Sequence, residues 1–310
     1  AHWAKALLAA GVSHGDRVAM LTPPSTEWLT VMLAVTEIGA IWTGYHPRYQ
    51  LPEFRHVTEL TEPTVLVAFR HIHGRDYADE LTALKAGNPS IRQVVLLDAP
   101  LEGAVMASEF LAAGEAISDA VLTKARDAVA IDDTAVLIFT SGTTGRPKAA
   151  MVKHRALLTG GAVEIEHWPM DRPRILHMMP VNHIAGVGMT GVYGLYVGGT
   201  LVFQDRFEAG DLLRLLEEER IDHLLGSPVQ FHMMGNHPDL KTRDLSHMKF
   251  MTWGGAPMAA DLTARLNELP CALHTSYGMT ELGLYVTFTE PGTSFDALSQ
   301  TIGKPHHGFD

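Results

Sequence analysis

Short apolar runs alternate with amphipathic stretches along this chain, and that alternation restricts the folds open to it. Arg17–Leu21 and residues 40–44, 64–69 and 93–97 read as strands. Between them residues 26–38 read as a helix, with Ser25 as N-cap and Gly39 as its stop, and residues 52–60 read as another. The rhythm returns in strand-like segments at 135–140, 175–179, 223–225, Phe250–Trp253 and 271–274, with a leucine-striped helix over 212–219. Continuous apolar strands separated by helices build mostly parallel sheets covered on both faces. The expected fold class is therefore α/β. The charge-rich, weakly periodic segment 115–133 is the expected joint between two sublobes, 1–127 and 128–310.

Composition narrows the class further. The 310 residues are 46% hydrophobic and 19% charged, a balance that supports packed cores and excludes a disordered chain. The excess of 35 acidic over 24 basic side chains makes nucleic acid and anionic membranes poor general partners, while leaving room for a local anion site. Cys271 is the single cysteine, which excludes an internal disulfide and a thiolate zinc site and points to the cytosol. Residues 184–203 carry no charge and tempt a membrane reading, but six glycines and the Gly198-Gly199 break make a buried helix, a turn and a strand the better expectation. The opening AHWAKALLAAG reads as a short helix rather than a signal peptide, and the chain is expected to begin inside a longer protein.

The strongest local signal follows the strand at 135–140. Thr140, Ser141, Gly142, Thr143, Thr144, Gly145, Arg146, Pro147 and Lys148 combine glycines, four hydroxyls and a lysine. Glycines let the backbone turn tightly against an anion, consecutive amides offer donors, and Lys148 adds a point charge. A polyphosphate suits this inventory. The pattern is not Gly-x4-Gly-Lys-Ser/Thr, because Pro147 and Ala149 flank the lysine. A second glycine pattern, Gly186-x-Gly188-x-x-Gly191, satisfies a dinucleotide fingerprint but does not directly follow its strand, so helix-to-sheet packing is the expectation there.

TSGTTGRPK resembles the phosphate-loop signature of the acyl-adenylate-forming (AMP-binding) enzymes, among them acyl-CoA synthetases, firefly-type luciferases and peptide-synthetase adenylation domains. GVSHGDRVAML from Gly11, GAIWTGYHPRY from Gly39, WGGAPM from Trp253, SYGMTELG from Ser276 and IGKP from Ile302 fall in that family's order over essentially the whole chain. The resemblance implies one large domain over 1–310, a layered α/β sandwich of mostly parallel sheets in two lobes. It implies ATP-dependent activation of a carboxylic acid, fatty or aromatic, to acyl-AMP with release of pyrophosphate, then thioester formation with coenzyme A.

The resemblance also assigns roles. Tyr277 would stack on adenine, with Gly278 and Met279 beside it. Gly255, Ala256 and Pro257, after Gly254, would form the adenine slot. Thr280 would donate to the α-phosphate, and Glu281 would hold Mg²⁺, which favours hard carboxylate oxygens. Pro180 and His183 match a Pro-x-x-His segment whose His lies beside the reacting carboxylate, whereas His177 reads as a hydrogen-bonded interior residue. An amino-acid-activating domain would usually place an Asp near Met179, and none occurs between Arg174 and Gln204. A nucleotide-binding fragment without turnover is the alternative of another class. Ala149 stands where the family usually has Gly. Beyond Asp310 the family continues with an Asp for the ribose, a hinge and a small domain carrying a catalytic Lys; without them the chain alone is expected to turn over poorly.

Overall fold

The computed structural model of the protein describes residues 1–141, 147–290 and 292–309. Contacts between backbone positions divide the chain into two compact units. The first holds Ala1–Arg155 together with Pro180–His183, and the second holds Ala156–Met179 and Ile184–Asp310. The sublobes expected from sequence, 1–127 and 128–310, differ from these units. The charge-rich segment that was to join them lies within the first unit and contains a helix, Asp119–Asp127.

The strands of the first unit are β1 (Arg17–Leu21), β2 (Ile41–Tyr45), β3 (Val65–Ala68), the short hairpin β4 (His71–Ile72) and β5 (Arg75–Asp76), β6 (Gln93–Leu96), β7 (Val105–Met106), β8 (Thr134–Ser141) and β9 (Pro147–Lys153). Seven of them form one sheet in the order β7-β6-β3-β1-β2-β8-β9. Every pairing in that sheet is parallel except the last, where β9 returns antiparallel along β8. β3 is buried at all four positions, as expected of a parallel strand covered on both faces. The helix Thr26–Glu37 starts where Ser25 accepts a hydrogen bond from the Trp28 amide, and Gly39 follows its end at φ +73°. The helix Leu51–Thr61 opens with a capping box between Gln50 and Glu53. Its Phe54 and Val57 pack with Leu21, Tyr45, Leu66 and Leu96 into the core of this unit.

The second unit repeats the design. β10 (Arg174–His177), β11 (Thr200–Phe203), β12 (His223–Gly226), β13 (Phe250–Trp253), β14 (Ala272–Met279), β15 (Leu284–Phe288) and β16 (Lys304–Pro305) form a sheet in the order β11-β10-β12-β13-β14-β15-β16. It is parallel from β11 to β14 and antiparallel from β14 to β16. Residues 184–196 form a helix whose middle, Val187–Val192, is π-helical, and the Thr190 hydroxyl donates to the carbonyls of Ala185 and Gly186. The Gly186–Gly188–Gly191 pattern thus sits inside a helix, as expected. Close packing explains the small residues here: a Cβ on Gly194 would come 2.7 Å from the Leu201 side chain on β11. Among the described residues no helix is long and apolar enough to cross a membrane.

One layer of the second unit buries polar groups without charging them. Trp168 packs edge-on to Tyr193, Tyr285 and Phe288 and lies 5.1 Å from the His223 ring. His223 bonds Thr252 Oγ1 through Nε2, and His274 Nδ1 meets the Thr289 carbonyl. Desolvation lowers the pKa of His223 to about 3 and that of His177 to about 4, so both imidazoles are neutral. Glu164, 1% exposed, has one carboxylate oxygen with no hydrogen-bond partner, and burial raises its pKa well above the usual carboxylate value. The native state therefore holds a proton on Glu164 that the unfolded chain releases. The resulting stability is complete below the unfolded carboxylate pKa and is lost as pH rises through the native one. Glu164→Gln removes this dependence. The variant is expected to gain on the wild type by up to about 1.4 kcal/mol per pH unit above pH 4.5 until the native pKa is passed. Thermal unfolding between pH 5 and 8 checks this; a constant difference across the range contradicts it.

Candidate nucleotide and acid site

The first unit presents the phosphate-loop motif on a hairpin. Thr140 and Lys148 are register partners on β8 and β9, and Ser141 pairs with Pro147. This changes the sequence picture: the lysine is strand-borne and stands across from the first hydroxyl of the motif. Lys148 is exposed and Thr140 half-buried. Gly142, Thr143, Thr144, Gly145 and Arg146 lie outside the described residues, as does the Ser141 side chain. The base of the hairpin is held by His56, whose Nε2 lies 3.1 Å from the Pro147 carbonyl. Its role was not anticipated, since a histidine in mid-helix, 91 residues from its partner, carries no local signal.

His183 also belongs to this unit. The segment Pro180–His183 closes a turn, with the His183 amide donating to the Pro180 carbonyl at 3.1 Å. It packs against the carboxyl end of β2, where a Cβ on Gly44 would come 3.1 Å from the Asn182 backbone. The Tyr49 hydroxyl lies beside the Asn182 side chain. β2 is the parallel neighbour of β8, so the His183 segment and the start of the phosphate loop stand at the same end of adjacent strands. His183 is exposed, yet the surrounding protein lowers its pKa by desolvation, which favours the neutral ring. His177 stays in the interior of the second unit with Nε2 2.9 Å from the Gly186 carbonyl, as expected.

The second unit gathers the remaining candidates at the carboxyl ends of β13 and β14, where open α/β sheets bind ligands. Gly254 follows β13 so closely packed that a Cβ would lie 3.1 Å from the Ser276 carbonyl and 3.2 Å from the Tyr285 ring. Gly255, Ala256 and Pro257 follow, all exposed. Tyr277, Gly278 and Met279 are the last residues of β14, beyond the expected strand end at 274, and pair to β15 with a register irregularity between Tyr277 and Gly278. That irregularity leaves Tyr277 45% and Met279 40% exposed, so a flat aromatic face stands beside the exposed 255–257 segment. Thr280 and Glu281 occupy the tight turn that follows, closed by the Gly283 amide onto the carbonyls of Met279 and Thr280. Glu281 is exposed and offers hard oxygen atoms, which suits Mg²⁺. The supporting Tyr285 was not anticipated, because its place behind Gly254 is set by a hairpin that periodicity does not announce.

Two motif glycines separate backbone strain from collision. Gly255 sits at φ +81° with nothing within 4 Å of an added Cβ, whereas at Gly303, φ +87°, a Cβ would fall 2.2 Å from the Phe288 carbonyl. Gly255→Ala is expected to cost about 1–2 kcal/mol of left-handed strain alone. Gly303→Ala is expected to cost more, because the β15–β16 pairing must move. Urea unfolding midpoints of the two variants rank them, and equal losses would contradict the assignment.

Known proteins resemble this chain over nearly its whole length. The AMP-binding enzyme family matches residues 1–310. A feruloyl-CoA synthase of Amycolatopsis sp is 34% identical over 283 residues, covering 91% of this chain and 52% of the relative. A 3-[(3aS,4S,7aS)-7a-methyl-1,5-dioxo-octahydro-1H-inden-4-yl]propanoyl:CoA ligase of Mycobacterium tuberculosis is 32% identical over 310 residues, covering 99% of this chain and 60% of the relative. The chain thus spans about half to three-fifths of the length of these two relatives. Among solved structures, the anthranilate CoA ligase AuaEII in complex with anthranoyl-AMP matches 99% of this chain and 58% of its own at a TM-score of 0.88, with 20% identity. The N-terminal domain of FACL13 from Mycobacterium tuberculosis matches 98% of this chain and 72% of its own at a TM-score of 0.82, with 21% identity. The α/β architecture is that of the N-terminal domain of adenylate-forming enzymes, and the chain belongs to the AMP-binding enzyme family.

Proposed function

We propose that this chain carries the nucleotide- and acid-binding machinery of an acid–thiol ligase. The carboxylate of a fatty or aromatic acid attacks the α-phosphorus of ATP, pyrophosphate leaves, and acyl-AMP forms. The thiol sulfur of coenzyme A then attacks the acyl carbon and AMP departs, leaving the thioester. The observation that carries the reading is the pairing of Lys148 with Thr140 on the β8–β9 hairpin, which fixes a cation and a hydroxyl at the mouth of a glycine-rich loop. The names of the two relatives, both CoA ligases or synthases, support the reaction class.

Each residue has a part suited to its chemistry. Thr140, Ser141 and the loop residues 142–145 donate to phosphate oxygens, and Lys148 neutralises charge there. Tyr277 offers its exposed ring to the adenine, with Gly255–Pro257 as the facing small-residue backbone. Thr280 donates to the α-phosphate. Glu281 would hold Mg²⁺, which when bound supplies charge neutralisation on the leaving pyrophosphate. His183, kept neutral by its surroundings, orients the acid. Catalysis of this kind rests on positioning and electrostatic stabilisation.

Acid-dependent ATP–pyrophosphate exchange with a panel of fatty, aryl and amino acids tests the proposal. Exchange is expected with fatty or aryl acids. Lys148→Ala and Glu281→Ala are each expected to slow it more than tenfold, about 1.4 kcal/mol of barrier or more. No exchange with any acid would sink the adenylation reading, and wild-type rates in both variants would remove these two residues from it.

A further inference from the structure

Away from the nucleotide motifs, the second unit brings together Glu166, His306 and His307, whose candidate ligand atoms all lie within 4.8 Å of one another. Glu166 sits at the end of the helix His154–His167, and the two histidines directly follow β16. Glu166 Oε2 lies 3.9 Å from His306 Nε2 and 3.9 Å from His307 Nδ1. Both separations exceed hydrogen-bond length. They approach the spacing of about 3.4 Å that atoms bound tetrahedrally at 2.0–2.2 Å would have. Glu166 and His307 are 53% and 79% exposed, so ordinary side-chain rotation can close the half ångström or so on each carboxylate–imidazole pair and bring the imidazoles, within 4.8 Å, closer together.

The third ligand is already fixed. His306 is 7% exposed, and its amide donates to the Val286 carbonyl at 2.9 Å. Its Nδ1 lies 3.2 Å from His167 Nε2, and His167 is itself stacked on Phe288 with ring centroids 4.0 Å apart and planes 6° from parallel. A metal-binding imidazole characteristically donates its second N–H to a neighbour, which sets the tautomer. With Nδ1–H donating to His167, the Nε2 lone pair of His306 faces Glu166. A buried oriented imidazole, a second imidazole and a carboxylate around one point form a donor set suited to zinc-type ions.

We propose that Glu166, His306 and His307 bind one divalent transition-metal ion of the zinc class, with water completing the shell. His167 acts as a positioning residue for His306. The ion would fasten the end of the helix His154–His167 to the segment after β16. This site is independent of the Mg²⁺ assigned to Glu281.

Co²⁺ titration of the chelator-treated protein, followed by visible absorption, and Zn²⁺ calorimetry test the site. One ion per chain is expected. Glu166→Gln and His307→Ala, both at exposed positions, are each expected to weaken Co²⁺ and Zn²⁺ binding at least tenfold, while His2→Ala leaves it unchanged. Excess Mg²⁺ is expected not to displace Co²⁺, because a hard cation avoids imidazole. Absence of stoichiometric binding overturns the proposal. So does unchanged affinity in both variants, which would place the metal on histidines elsewhere, and so does displacement by Mg²⁺.

Discussion

In each unit a run of parallel strands gives way to an antiparallel pair, and the glycine-rich motif and the Thr280–Glu281 turn follow the last parallel strand of each run. β8 lies parallel to β2 and antiparallel to β9. β14 lies parallel to β13 and antiparallel to β15. A parallel strand must hand its chain to a crossover that leaves the sheet edge, whereas an antiparallel pair can be joined by a tight loop. The two reversals therefore supply short, strand-anchored loops at the carboxyl ends of parallel strands. One holds the glycine-rich phosphate motif and the other holds Thr280 and Glu281.

The second unit adds a neutral polar layer beneath its loop. His223, His274, Trp168 and Glu164 are held inside without charge, and Tyr285 joins that layer to Gly254. An ionised carboxylate at that depth would be costly unless paired. The protonated form removes that cost near Tyr285, whose ring in turn backs the Gly254 backbone.

Much of this was legible beforehand because local signals and tertiary packing agreed. The strand Arg17–Leu21, the Ser25 cap and the Gly39 stop needed only nearest neighbours to read. The two hairpins were not legible. β9 is an edge strand with Met151 exposed, so PKAAMVK lacks the alternation that marks a half-buried strand. The strand expected at 271–274 runs further, because pairing with β15 carries the ladder on through Met279. The helix Asp119–Asp127 was hidden because Leu122 is the one residue it buries. The site residues were legible as types through the resemblance. Their supports, His56, Tyr49, Asn182 and Tyr285, were not, since each acts across a sequence distance that no local pattern spans.

The β8–β9 pairing has a consequence for how the phosphate loop can vary. Side chains alternate between faces along a strand, so Lys148 owes its facing to the register that pairs it with Thr140. If the ladder slipped by one position to absorb an added or removed loop residue, Pro147 or Ala149 would come into register with Thr140 and the cation would turn to the opposite side of the sheet. A loop residue gained or lost therefore leaves Lys148 opposite Thr140 only where the loop absorbs the change and the seven-residue strand Pro147–Lys153 keeps its place in the ladder.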